Sequence, residues 1–137
     1  MTAFTVFFLR LSDEQRNTLN NDGWDSGIGR AWMNAEGTVR RTDYSDVIEY
    51  DLFEKAAFIR NTHNLSSVWM AIQNHEISWK ENESIVCYTN FPRSMMVGDI
   101  IYCPQDDSWN RVSRVGFEEI VDEYFIEYLR AKLSPKD

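Results

Sequence analysis

The sequence predicts an α+β domain, in which a mixed or antiparallel sheet packs against two or three helices and a C-terminal amphipathic helix lies on the sheet. Three observations carry that expectation. Residues 99–115 have hairpin chemistry: Val97-Gly98-Asp99 is a turn signal, and Ile100-Ile101-Tyr102-Cys103 is β-prone. Pro104 to Ser108 is a second turn cluster, and Trp109 to Val115 alternates between two faces. Further on, Phe117, Ile120, Val121, Tyr124, Phe125, Tyr128 and Leu129 recur at helical spacing. Near the start, Ser12 followed by Gln15 forms a capping box directly after a β-prone run.

In chain order, Ala3 to Leu9 reads as a strand, apolar on both faces and therefore central. A short polar helix follows from Asp13 to about Asn20, stopped by Asn20-Asn21-Asp22-Gly23, with Gly23 suited to a left-handed cap. Trp24 to Gly29 reads as a loop, and Arg30 to Asn34 fits a strand or a short helix equally. Ala35-Glu36-Gly37 reads as a turn into an edge strand, Thr38 to Arg41, so that a hairpin forms here. Asp43 to Asp51 is acidic and irregular. Leu52, Phe53, Ala56, Ala57 and Ile59 or Arg60 suggest a helix, and Asn64 caps a second from Leu65 to about Gln73. These two would form a helical hairpin on the sheet. Ile85 to Thr89 is a strand leading into the hairpin, Gly116 ends that hairpin, and Phe117 opens the longest helix.

Composition limits the function. With 43% hydrophobic residues, and five Trp, six Tyr and eight Phe, the 137-residue chain can bury a core as a single domain. Its net charge of −8 opposes binding to a phosphate backbone. The excess acid falls in residues 43–83 and 118–137. No apolar run reaches the roughly 20 residues of a membrane span, and Thr2 to Leu11 lacks the basic start of a signal peptide. Two Cys without motif spacing fit a reducing cytoplasm.

The run Phe91-Pro92-Arg93-Ser94-Met95-Met96-Val97-Gly98-Asp99-Ile100-Ile101, followed by Gly116-Phe117, resembles the end of YodL-like domains. The resemblance covers about a fifth of the chain. It implies a setting in phages, plasmids or conjugative elements, and it carries no catalytic residue across.

The sequence offers residues for five kinds of chemistry. A metal set would need His63, His75, Cys87 and Cys103, but no two stand at the two-to-four-residue spacing of zinc ligands. No nucleophile elbow or Cys-His signature is present. Gly23, Gly27 and Gly29 match neither nucleotide fingerprint. The fourth reading is acidic: Asp43, Asp46, Glu49, Asp51 and Glu54 could imitate a nucleic-acid backbone in the basic groove of a partner, or form a solvated face. The fifth is aromatic: Trp24, Trp32, Trp79 and Trp109, beside Arg93, Arg111 and Arg114, could stack on a ligand or fill the core.

Two functional expectations result. The first is a small acidic, non-enzymatic interaction protein of a phage or mobile element, binding a host or element protein and needing no cofactor. Its C-terminal helix could also serve a homodimer. The second is a small enzyme or ligand-binding domain with a pocket near Phe91, Arg93, Trp109 and Arg111.

Overall fold

The computed structural model describes residues 2–37 and 44–133. It is an α+β fold: six strands form one sheet in the order β3-β2-β1-β4-β5-β6, every neighbouring pair antiparallel. The strands are β1 Thr2–Leu9, β2 Phe53–Thr62, β3 Ile85–Cys87, β4 Ile100–Cys103, β5 Ser108–Ser113 and β6 Gly116–Glu119. The helices are α1 Asp13–Asp22, α2 Gly27–Glu36, α3 Ser45–Glu49, α4 Leu65–Ala71 and α5 Glu123–Arg130.

The central position expected for β1 follows from its two apolar faces. Phe7 and Leu9 enter one core with Ile28 and Ala31 of α2, Val47 of α3, and Phe125 and Leu129 of α5. Phe4, Val6 and Phe8 enter a second core with Val68 of α4, Ile72, Trp79 and Met95. The sheet is thus covered on both sides, and β1 lies between β2 and β4. Burying five large side chains from one strand contributes roughly 2 kcal/mol for each.

Several local readings hold. Ser12 Oγ accepts from Gln15 N at 3.1 Å, and Gln15 Oε1 accepts from Ser12 N at 2.9 Å. Asn64 Oδ1 caps α4 by accepting from Ser67 N at 2.9 Å. Gly23 ends α1 at a φ of +80°, but its ψ of −179° is extended and not the left-handed cap expected. Ile100 and Tyr102 of β4 pair with Arg111 and Trp109 of β5, as the hairpin requires.

Other readings are corrected. Leu52 to Arg60 is not helical; residues 53–62 are strand β2, so no helical hairpin forms. The cause is a β-bulge. Val6 pairs with Ala57 and Phe7 with Lys55, which leaves Ala56 as the extra residue. The bulge turns both Ala56 and Ala57 into the second core while Phe53 enters the first, and the resulting three- and four-residue spacing of buried residues imitates one face of a helix. A second irregularity skips Arg60 and Asn61, where Asn61 takes a φ of +56°.

Phe117 to Leu129 is likewise not one helix. Phe117 pairs with Val112 in β6, and Ile120 N donates to Trp109 O at 2.8 Å. Asp122 then caps α5, its Oδ1 accepting from Phe125 N at 2.9 Å. Gly116 therefore turns the chain from β5 into β6 rather than into a helix. Strand and helix residues follow each other in a sequence that keeps helical spacing across the break. Phe125 and Leu129 are buried, while Tyr124 is 85% exposed.

Trp24 to Gly29 is not all loop, because residues 27–36 form α2. Ser26 Oγ accepts from Gly29 N at 3.2 Å, and Gly37 ends the helix at a φ of +77°. Gly29 is a packing glycine: a Cβ there would stand 2.5 Å from Trp24 O. With α2 in place, Ala35 and Glu36 are helical and not a hairpin turn. The expected strand Thr38 to Arg41 lies outside the described residues. Within the acidic segment, residues 45–49 form α3 rather than irregular chain.

Candidate functional site

The sheet fixes a loop, residues 88–99, against the end of β1. Gly98 takes a φ of +98° and packs so closely that a Cβ would stand 3.0 Å from Glu36 Cα. That turn points Asp99 inward, where it is 0% exposed. Asp99 accepts from Arg93 Nη1 and Nη2, each at 2.8 Å, from Met96 N at 2.8 Å and from Leu9 N at 2.9 Å. Burial raises its carboxyl above the usual range, and the Arg93 guanidinium and the two amides pull it back. Arg93 Nη2 also donates to Leu9 O at 2.8 Å, and its guanidinium lies 4.1 Å over the Phe8 ring.

The other flank of the loop is also tied. Trp79 Nε1 donates to Arg93 O and Asn74 Nδ2 to Pro92 O, both at 2.7 Å. Thr89 Oγ1 donates to Glu54 Oε1 at 2.5 Å and accepts from Phe91 N at 3.1 Å. Backbone restraint on both sides leaves Phe91 standing 62% exposed, with the Arg10 guanidinium 5.0 Å from its ring. Arg10 in turn forms an ion pair with Glu54.

Between this loop, the end of β1 and α1–α2 lies a cleft of about 390 Å³. Its aromatic walls are Phe8, Trp24, Trp32 and Phe91, and its charges are Arg10, Arg16, Arg93, Asp13 and Glu54. Trp24, on the link between α1 and α2, is 52% exposed. A polar chamber of about 340 Å³ adjoins it, lined by Ser12, Gln15, Asp51, Lys55 and Lys132. Arg10 and Glu54 line both spaces.

Of the expected pocket, Phe91 and Arg93 meet at this cleft. Trp109 and Arg111 lie elsewhere. Trp109 is buried against Phe7 and Tyr102, with ring centroids at 5.7 and 4.2 Å, and Arg111 pairs with Glu118 across β5 and β6. Of the aromatic set, Trp24 and Trp32 reach the cleft, whereas Trp79 is buried edge-on to Phe8. Arg114 is exposed at the far end of β5.

The acidic set does not form one row. Asp46 accepts from Asn34 Nδ2 at 2.8 Å, and Glu49 is exposed on α3. Asp51 accepts from Tyr128 Oη at 2.6 Å and from Lys132 Nζ at 2.7 Å, while Glu54 is held by Arg10 and Thr89. Asp43 lies outside the described residues. His63 and His75 are exposed, Cys103 is buried and Cys87 half-buried. Among the described residues no three His, Cys, Asp or Glu side chains gather where they could hold a metal ion.

Arg10 and Arg16 escaped the sequence reading. Arg10 joins the site only because β1 ends beside β2 and the loop 88–99. Arg16 faces the cleft from one turn of a helix whose composition looks merely solvated.

The chain matches no family model, no curated protein and no solved structure. No helix of the described residues is long and apolar enough to cross a membrane.

Proposed function

We propose that the chain is a non-enzymatic ligand-binding domain whose site is the cleft beside Phe91 and Arg93. One observation carries this reading. Trp24, Trp32, Phe91 and three guanidinium groups converge on one cavity from separate elements of the chain. A cavity of that size, mostly apolar with a few placed charges, has the make-up of a small-molecule site. Two of its rings are exposed although the chain has a core that could bury them. Such rings bind planar groups by stacking, and guanidinium groups favour an anion beside the ring.

The test is a thermal-shift screen of ring-bearing fragments: anionic, neutral and cationic. The reading predicts that ring-bearing anions stabilise the protein most and that Trp24→Ala with Phe91→Ala removes the effect. Stabilisation unchanged in the double variant would place binding elsewhere.

A second reading, a docking protein of a phage or mobile element in the cytoplasm, is favoured by a different surface. An apolar groove between α4 and the β5–β6 turn is lined by Trp69, Met70, Val97 and Phe117, with Val115 96% exposed beside it. Its setting rests on the resemblance to YodL-like domains. Capture of a partner that Met70→Lys abolishes would support it, and capture indifferent to that change would remove it.

A further inference from the structure

The aromatic cleft and the polar chamber are neighbours with a shared wall. That wall is the ion pair of Arg10 with Glu54, the two residues that line both spaces. On one side stand Trp24, Trp32 and Phe91; on the other stand Lys55 and Lys132, with Arg10 between. Arg10 is only partly buried, and its guanidinium already lies over Phe91. It can leave Glu54 for a better anion without leaving the ring. Glu54 keeps a second partner when that happens, because Thr89 Oγ1 donates to its other oxygen.

We propose that the two spaces form one site for a nucleoside monophosphate, the base among the rings of the cleft and the phosphate in the chamber beside Arg10, Lys55 and Lys132. This rests on the cleft being the ligand site, as argued above, and adds the class of ligand. Three features select that class. Stacking on Trp and Phe accepts any heteroaromatic base. A bidentate guanidinium beside two ammonium groups suits a phosphate better than a carboxylate. The net charge of −8 opposes a polyanionic strand but tolerates one phosphate in a local cluster of cations. Asp51 and Glu54, each already paired with a cation of the chamber, and the Tyr88 ring, 4.2 Å from the Lys55 ammonium, compete with the phosphate and set how tightly it is held.

The competition yields two variants with opposite signs. Glu54→Gln removes the carboxylate that occupies Arg10 and keeps an acceptor for Thr89, so the monophosphate binds several-fold tighter. Arg10→Ala removes the bridging cation, so the advantage of the monophosphate over its nucleoside disappears. A merely structural role for Arg10 would weaken nucleoside and nucleotide alike.

The experiment is calorimetric titration of the full chain at low salt with the four common nucleoside 5′-monophosphates, their nucleosides, inorganic phosphate and a short single-stranded oligonucleotide. We expect at least one monophosphate to bind with a dissociation constant of about 1 mM or lower, tenfold or more below that of its nucleoside. We expect Arg10→Ala to erase that ratio and Glu54→Gln to widen it. Equal binding of nucleoside and monophosphate would overturn the proposal while leaving the cleft as a ring-binding site. So would an unchanged ratio in both variants, or an oligonucleotide held more tightly than the monophosphate. Absence of binding by every nucleotide would overturn it too, and the fragment screen would then decide separately whether the cleft binds rings at all.

Discussion

Arg93 holds Asp99 through two parallel N–H···O contacts of 2.8 Å, and the pair locks the loop 93–99 to the end of β1. A buried carboxylate left without its cation is costly, by about 3–5 kcal/mol. Arg93→Met should therefore lower the unfolding free energy by about 3 kcal/mol. Asp99→Asn, which keeps an acceptor and removes the charge, should cost less than Arg93→Met. Urea denaturation of both variants and of the double variant measures the coupling; additive losses would show that the two side chains act independently.

Tyr128 joins α5 to the start of β2. Its hydroxyl donates to Asp51 and accepts from Phe53 N at 3.2 Å. Tyr128→Phe leaves that amide without its partner and should cost about 1–2 kcal/mol. Burial, and then the Asp51 carboxylate, push the Tyr128 hydroxyl far up, and burial and Asp107 raise Tyr102. A folded value above the unfolded one stabilises the protein below the ordinary tyrosine range, and that stability is lost as pH rises through it. Spectrophotometric titration should show Tyr102 and Tyr128 ionising late. Tyr128→Phe should remove one of them.

The acid side has the opposite sign. Burial opposes ionisation of Asp51, but the bonds from Lys132 and Tyr128 outweigh it and hold the carboxyl low. The Arg130 guanidinium, and then Tyr102, hold Asp107 low. A lowered folded value gives stability that is present above the unfolded value and lost as pH falls through the folded one. Docking of α5 should weaken below about pH 4. Amide exchange in residues 123–130 measures it, and protection unchanged at pH 3 would contradict these assignments.

The break between β6 and α5 makes a further prediction. Phe125→Ala should cost about 3–4 kcal/mol, whereas Tyr124→Ser should stay within about 0.5 kcal/mol. Similar losses in both would restore the single helix that the spacing suggests.

Asn61 tests the β2 irregularity. Its φ of +56° suits Asn or Gly and strains a β-branched side chain. Asn61→Gly should be neutral and Asn61→Val should destabilise by about 1–2 kcal/mol. The reverse order would put residues 53–62 back in a helix.

What the sequence made legible were features written in adjacent residues. Ser12 and Gln15, Asn64, the turn at Gly98-Asp99 and the hairpin of β4 and β5 depend on neighbours a few positions apart. What misled was periodicity where a strand departs from period two. The Ala56 bulge and the passage from Phe117 through Asp122 both place apolar residues three and four apart without a helix. Gly27 and Gly29 read as loop because their function is close contact, with Tyr50 and with the Trp24 backbone, which no local pattern reports. The cleft was half legible. Phe91 and Arg93 stood out beside the turn, but Arg10, Arg16 and Trp32 come together only through the order of strands in the sheet.

The most direct measurement is a two-dimensional proton–nitrogen spectrum of the tryptophan indoles during titration with a ring-bearing anion. The account predicts that the Trp24 and Trp32 signals move while those of Trp69, Trp79 and Trp109 stay in place. Movement at Trp69, in the groove beside α4, with Trp24 and Trp32 unmoved would contradict it.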